Sequence, residues 1–371
     1  KYYIIAGEAS GDLHGSNLIK ALKQNDVSAD FRCWGGDLMQ QQGAVIVKHY
    51  SDLAFMGFIE VVKNLRTIFK NIEFCKKDII NYQPDVLVLI DYPGFNLRIA
   101  EWAHAQKIKV IYYISPQVWA WKQSRVHKIK RVVDKMLVIL PFEKSFYKKF
   151  GVEVEFVGHP LIDAIENYRA VAGKTFLEDE QLGNKPVIAI LPGSRKQEIA
   201  VKLPLMLSVE KDFPGYQFVI AGAPSIHASY YQSYTQNSNA KIVYNKTYDL
   251  LNHAAAALVT SGTATLETAL FGVPEVVCYK GSAVSFQIAK RLVNIEFISL
   301  VNLIMDREVV KELIQHDLNY NNIKTELLKI TGNQLHLKQL HADYNELKHL
   351  LGDSGASAKA AKLIVEFLKR N

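Results

Sequence analysis

The sequence predicts an α/β protein made of two Rossmann-like, doubly wound domains facing a cleft, followed by C-terminal helices. Three observations carry this. Short apolar runs alternate with helix-period segments along nearly the whole chain, the pattern of βαβ units around parallel sheets. The rhythm breaks at a polar, breaker-rich stretch near residues 164–186 and then restarts. At 371 residues the chain exceeds what one core ordinarily serves.

In chain order, "YYIIA" reads as the first strand, followed by the loop "AGEASGD" and a helix through "LIKALKQ". "DVLVLI" is a strand nearly free of polar residues, as expected when both sheet faces are covered. "KVIYYI" and "KMLVIL" repeat the theme. After the break, "VIAIL", "QFVIA", "KIVY", "AALVT" and "EVVCY" supply five more strands with helices between them. From about residue 305 the chain turns helical. The expected domains are 1–165 and 166–353, with the last helix, about 354–371, free to pack on either half.

Composition narrows the function classes. Hydrophobic residues make up 49%, which excludes a disordered chain. No apolar run reaches the roughly 18 residues of a membrane span. The first residues run straight into a strand, without a signal-peptide pattern. Cys33, Cys75 and Cys278 are odd in number and scattered, so they form neither a disulfide framework nor a zinc pattern, as reduced cytosolic thiols would. The net charge of +7 admits nucleic acid, an anionic membrane surface or a phosphorylated substrate. No nucleic-acid-binding module is present, so nucleic acid is not expected as a partner.

Four loops carry candidate chemistry. Asp91 ends the apolar strand in "LVLIDYPGFN", where a carboxylate can serve as a base at the C-terminal edge of a parallel sheet or as a simple cap. "AGEASGD" follows the first strand but matches neither the dinucleotide fingerprint nor a Walker loop, which disfavours an NAD enzyme. In "LPGSRKQEI", Gly193 turns the chain, Ser194 can cap, and Arg195 stands at a helix start where an anion is favoured. In "TSGTATLE", Ser261, Gly262 and Thr263 open a helix, and Glu267 lies one turn in from Thr263, suited to a ribose diol. Either loop alone can be a plain capped helix start; two in one half favour a nucleotide site more than either does alone. No Asp-x-Asp triplet occurs, so no metal is expected on the diphosphate.

Quoted in order, "AGEASGD", "MGFIEV", "IDYPGFN", "YISPQVWAWKQSRV", "LPFEKSFY", "VGHPL", "LPGSRKQEI", "SGTATLE", "AKRLV" and "LVNLI" resemble the motifs of lipid-A-disaccharide synthases, glycosyltransferases of the GT-B fold. The resemblance runs from residue 4 to about residue 315; singly, "SPQVWAW" alone is specific. It implies an inverting transferase that joins UDP-2,3-diacylglucosamine to 2,3-diacylglucosamine 1-phosphate and releases UDP, with no cofactor. It further implies a cytoplasmic protein, peripheral on the inner membrane, in lipopolysaccharide synthesis. Asp91 matches the family's proposed base. Gly193, Ser194, Arg195, Ser261, Gly262, Thr263 and Glu267 match its UDP loops, with Asn302 and Gln315 where the family has polar residues near the nucleotide. Glu8, Ser10, Gly11, Asn96 and Trp119 fall on the acceptor side. Many members carry a second acid where this chain has Gly94.

Lipid-bearing substrates call for apolar surface. Phe55, Met56, Phe58, Val62, Leu65 and Phe69, in a loop and a helix edged by Lys63, Arg66 and Lys70, are the candidate acyl or membrane contact, although such a stripe is more commonly core. Trp119 and Trp121 alternate at strand spacing, which places both on one side. Oligomeric state is left open, a homodimer being one option. Two rival readings stand: a UDP-sugar 2-epimerase on the same fold, and a non-catalytic nucleotide- or membrane-binding protein.

Overall fold

A computed structural model of the chain describes residues 1–53, 65–171, 175–282, 286 and 296–370. The chain divides into two compact units, residues 1–163 with the segment from 353 onward, and residues 164–352. In the first unit, β1 (Tyr2–Ala6), β2 (Phe31–Gly35), β3 (Val45–His49), β4 (Val86–Ile90), β5 (Lys109–Tyr113), β6 (Lys135–Val138) and β7 (Glu155–Phe156) form one sheet among the described residues. Its order is β3-β2-β1-β4-β5-β6-β7 and every pair is parallel.

In the second unit, β8 (Val187–Leu191), β9 (Gln217–Gly222), β10 (Lys241–Tyr244), β11 (Ala254–Thr260), β12 (Glu275–Tyr279) and β13 (Lys311–Ile314) are also all parallel, in the order β10-β9-β8-β11-β12-β13. The central strands β1, β4 and β8 are buried along their full length, because crossover helices cover both sheet faces. Each unit is therefore a doubly wound α/β domain, and each sheet reverses its strand order once, at β1/β4 and at β8/β11.

The structure adds strands that apolar patterning does not mark. β2, "FRCWG", carries Arg32, whose guanidinium bonds both oxygens of Asp78 at 2.6 and 2.8 Å. Asp78 also accepts from Tyr3 Oη at 2.8 Å, and Trp34 Nε1 donates to that hydroxyl at 2.9 Å. A satisfied polar network thus lets a charged residue sit in a sheet. β3 and β13 are edge strands with mixed burial, and β7 spans two residues.

The helix Leu65–Tyr82 buries Ile72, Cys75 and Ile79 and leaves Phe69, Phe74 and Ile80 exposed. The C-terminal helix Ala356–Arg370 packs against the helix Ala9–Asn25 through the buried small residues Ala356, Ala360 and Ala361, with Ile364 beside them. Asp163 fixes its start, accepting from the amides of Gly355 at 2.5 Å and Ser357 at 3.2 Å.

Candidate functional site

In an open parallel sheet, ligands bind outside the carboxyl ends of the strands where the order reverses. The register Ala6↔Ile90 puts the end of β1 beside the end of β4, so Gly7 and Asp91 emerge together at the first unit's reversal. Asp91 and Tyr92 both adopt left-handed backbone, with φ of 43° and 48°. Each such residue costs about 1–2 kcal/mol, and the surroundings hold the pair in place. The Asp91 carbonyl accepts from Tyr112 Oη at 2.6 Å and from Asn96 Nδ2 at 2.8 Å, and its amide donates to the Ile114 carbonyl at 3.2 Å. Strain held this firmly is characteristic of functional positions. The Tyr92 ring lies where a Cβ on residue 7 would stand, so this close approach requires Gly7.

Burial, joined by the charge of exposed Glu8, pushes the Asp91 carboxyl up to about 7. Ser10 is exposed and Gly11 is buried against Ala6 at the same loop. Asn96 is fully buried, and its amide also reaches the Ile90 carbonyl at 3.2 Å. It holds the Asp91 carbonyl through Nδ2, while its buried Oδ1 has no partner among the described residues. Glu143 is a second buried acid near this edge. Its Oε2 accepts from the amides of Leu140 and Ile139 at 2.9 and 3.3 Å, and burial pushes it up to about 7 with Asp91 adding to the shift.

Trp119 is buried, edge-on to Phe142 at 5.0 Å, and its Nε1 finds no hydrogen-bond partner among the described residues. The segment is a turn, not a strand: the Val118 amide closes onto the Pro116 carbonyl at 2.6 Å. Trp119 therefore points inward, while Trp121 is exposed beneath Lys122 and Arg125, 4.6 and 5.3 Å from its ring centre. The placement of both tryptophans on one side is thereby corrected. Gly94 is exposed with open space around it, so no neighbour fills the position of the second acid.

In the second unit, the register Val259↔Leu191 brings the ends of β8 and β11 together at that sheet's reversal, and with them the two glycine loops. Gly193 has φ of 111°, and the Glu198 carboxylate folds over it, reaching Arg195 Nη1 at 3.7 Å. The helix Lys196–Leu207 starts from Arg195 with no side-chain cap. Ser194 is exposed and does not cap, contrary to the sequence expectation, so the first amides of the helix carry no side-chain oxygen. Gly262 has φ of 133° and starts the helix Thr263–Leu270, again uncapped, with Thr263 exposed beside it and Ser261 half-buried.

Glu267 is half-buried one turn further in. It accepts from Tyr248 Oη at 3.1 Å, and burial pushes it up to about 7. Gln315, at the end of β13, has left-handed backbone, and its buried Nε2 has no partner among the described residues. Asn302 behaves differently. It is fully buried, donates to the Val310 carbonyl at 2.9 Å and Glu312 Oε1 at 3.0 Å, and accepts from the amides of Val309 and Val310. All its hydrogen-bonding capacity is spent inside the fold, so direct contact with a nucleotide is ruled out for it in this conformation.

Of the expected acyl contacts, Phe55, Met56, Phe58 and Val62 lie outside the described residues, and Leu65 begins a described helix. Phe69 is 55% exposed, with the Arg98 guanidinium 5.6 Å from its ring centre. Glu143, Tyr112, Tyr248 and Lys202 join the two edges without having been singled out in the sequence. Each sits in a strand or helix rather than a glycine loop, and only the topology brings it to the loops. Among the described residues, no three His, Cys, Asp or Glu side chains are grouped to hold a metal ion.

A family model described as lipid-A-disaccharide synthetase matches residues 2–366. Curated relatives named lipid-A-disaccharide synthase include one from Geobacter metallireducens, 38% identical over 98% of this chain and 96% of the relative. Another, from Syntrophus aciditrophicus, is 38% identical over 99% and 98%. Among solved structures, S. aureus MnaA with UDP is similar with a TM-score of 0.72 at 13% identity, covering 99% of this chain and 96% of that one. The UDP-GlcNAc 2-epimerase of Neisseria meningitidis bound to UDP-GlcNAc gives 0.68 at 14%, covering both chains fully. These structural likenesses are likenesses of fold.

Proposed function

We infer that this chain, which belongs to the lipid-A-disaccharide synthase family, is a glycosyltransferase whose first unit activates the acceptor and whose second unit holds the donor nucleotide. The observation that carries this division is Asp91: a strained strand-tip carboxyl, clamped through its own carbonyl, with a raised proton affinity. The substrates assigned are UDP-2,3-diacylglucosamine as donor and 2,3-diacylglucosamine 1-phosphate as acceptor. Asp91 takes the proton of the acceptor 6-hydroxyl. That oxygen bonds to the donor's anomeric carbon, and the bond from this carbon to the diphosphate breaks with inversion. UDP leaves with the electron pair, and Asp91 returns its proton to water. A carboxyl near 7 is a stronger base than an ordinary one and is still about half ionised at neutral pH.

In the second unit, Arg195 and the amides at the two helix starts, which have no side-chain cap, are assigned to the charge that develops on UDP. Glu267 is assigned to the ribose diol and Gln315 Nε2 to an oxygen of the nucleotide. No helix among the described residues is long and apolar enough to cross a membrane. We assign attachment to the inner-membrane surface. Exposed Phe69, Phe74 and Ile80 beside Arg66, Lys70 and Lys77, and Trp121 beneath Lys122 and Arg125, support that assignment. The test is UDP release in detergent with EDTA. Acceptor-dependent release that survives the chelator supports a transferase working without a metal; release without acceptor points to epimerase-like or hydrolytic chemistry.

A further inference from the structure

Lys202 has no part in the scheme above, yet it stands under both loops of the donor site. It is 2% exposed, a rarity for lysine. It lies one helical turn beyond Glu198 and two beyond Arg195, on the same side of the helix Lys196–Leu207. Its ammonium donates to Thr260 Oγ1. Thr260 is the last residue of β11, immediately before Ser261-Gly262-Thr263. One side chain therefore ties the helix that follows the first glycine loop to the strand that leads into the second.

The charge on Lys202 is not locally balanced. No carboxylate among the described residues lies within ion-pair distance of it. The Glu198 charge favours the ammonium, but that carboxylate folds over Gly193 toward Arg195, whose own charge disfavours it. From β12 the buried Cys278 thiol faces the ammonium, held neutral by its own burial. Burying an ammonium with one neutral hydroxyl partner is unfavourable, and burial accordingly pulls the Lys202 proton affinity down. An anion seated across the two loops would reverse that penalty.

We propose that Lys202 is a positioning residue of the donor site, joining the two loops and placing a positive charge beneath the diphosphate. The proposal rests on the reading of the second unit as the UDP site. It predicts a cation that matters for the diphosphate and is indifferent to the nucleoside, whereas a lysine with a purely structural role would affect both alike.

Titration calorimetry with UDP and with uridine separates these cases. Lys202→Gln keeps a donor for Thr260 without the charge, Lys202→Met removes both, and Lys202→Arg restores the charge; circular dichroism establishes which variants fold. UDP affinity is expected to fall about tenfold in the Gln and Met variants, the scale of one charge acting on another. Uridine affinity stays within about twofold in the same variants and the Arg variant recovers most of the UDP affinity, because a charge acts on the phosphates and not on the base. A folded Gln variant with unchanged UDP affinity, or with UDP and uridine affinities falling together, overturns the proposal and leaves the UDP site standing. If the wild type binds no UDP, the reading of the second unit fails first and this inference with it.

Discussion

The two sheets reverse their strand order in the same way, yet the residues at the two reversals differ in kind. At β1/β4 the chain places acids: Asp91, Glu8 and nearby Glu143, with Asp91 and Glu143 both raised to about 7. At β8/β11 it places donors and cations: two uncapped helix starts, Arg195 and Lys202, with Glu267 one turn back. One architecture thus supplies two crevices of opposite character. On the proposed reading, the fold fixes where a ligand sits, and a few loop residues decide whether it meets a base or an anion hole.

The sharpest way to break this contrast is Asp91→Asn. Its turnover should fall by about 10²–10⁴-fold, the range of a general base, while UDP affinity, read by calorimetry, stays at the wild-type value. Arg195→Ala should do the converse at smaller scale. UDP dissociation constants should rise about 10–100-fold, as for a lost charge-assisted bond, with the pH dependence of turnover unmoved. Tyr112→Phe removes one clamp on the Asp91 carbonyl and leaves the carboxyl itself intact. Turnover should drop about tenfold, the cost of slight misplacement of a catalytic group, and KM should hold.

The smallest effect is on stability. The folded chain holds the Asp91 proton more tightly than the unfolded chain does, so this group's contribution is full at pH 4 and is lost as pH rises through about 7. Asp91→Asn should therefore melt a few degrees above wild type at pH 8 and level with it at pH 4, by differential scanning calorimetry. An Asn variant less stable at pH 8 would mean the carboxylate is better solvated than its burial implies.

Patterning revealed strands buried on both faces, such as "VLVLI" and "VIAIL", because an unbroken apolar run is a strong signal. It missed β2, where Arg32 is neutralised by Asp78 from a helix 46 positions away, and the half-exposed edges β3 and β13. The glycine loops were legible because left-handed backbone at Gly193 and Gly262 calls for glycine. The left-handed pair Asp91–Tyr92 was not, since neither residue advertises that conformation. Asn302 carried a plausible polar signal, yet tertiary packing consumed it. Nothing in the sequence sets Lys202 apart from the other lysines; its burial and its bond to Thr260 exist only in the folded chain.

The central claim is that Asp91 works as a base poised by its surroundings. Its most direct test is the pH dependence of kcat/KM for acceptor-dependent UDP release, in wild type and in Glu8→Gln. The account predicts a rate that climbs with pH and levels off above about 7 as Asp91 ionises, with the midpoint displaced to lower pH in Glu8→Gln, because the Glu8 charge adds to the shift. A rate independent of pH from about 5 to 9, where a base near 7 must titrate, or a limb indifferent to Glu8, would contradict it.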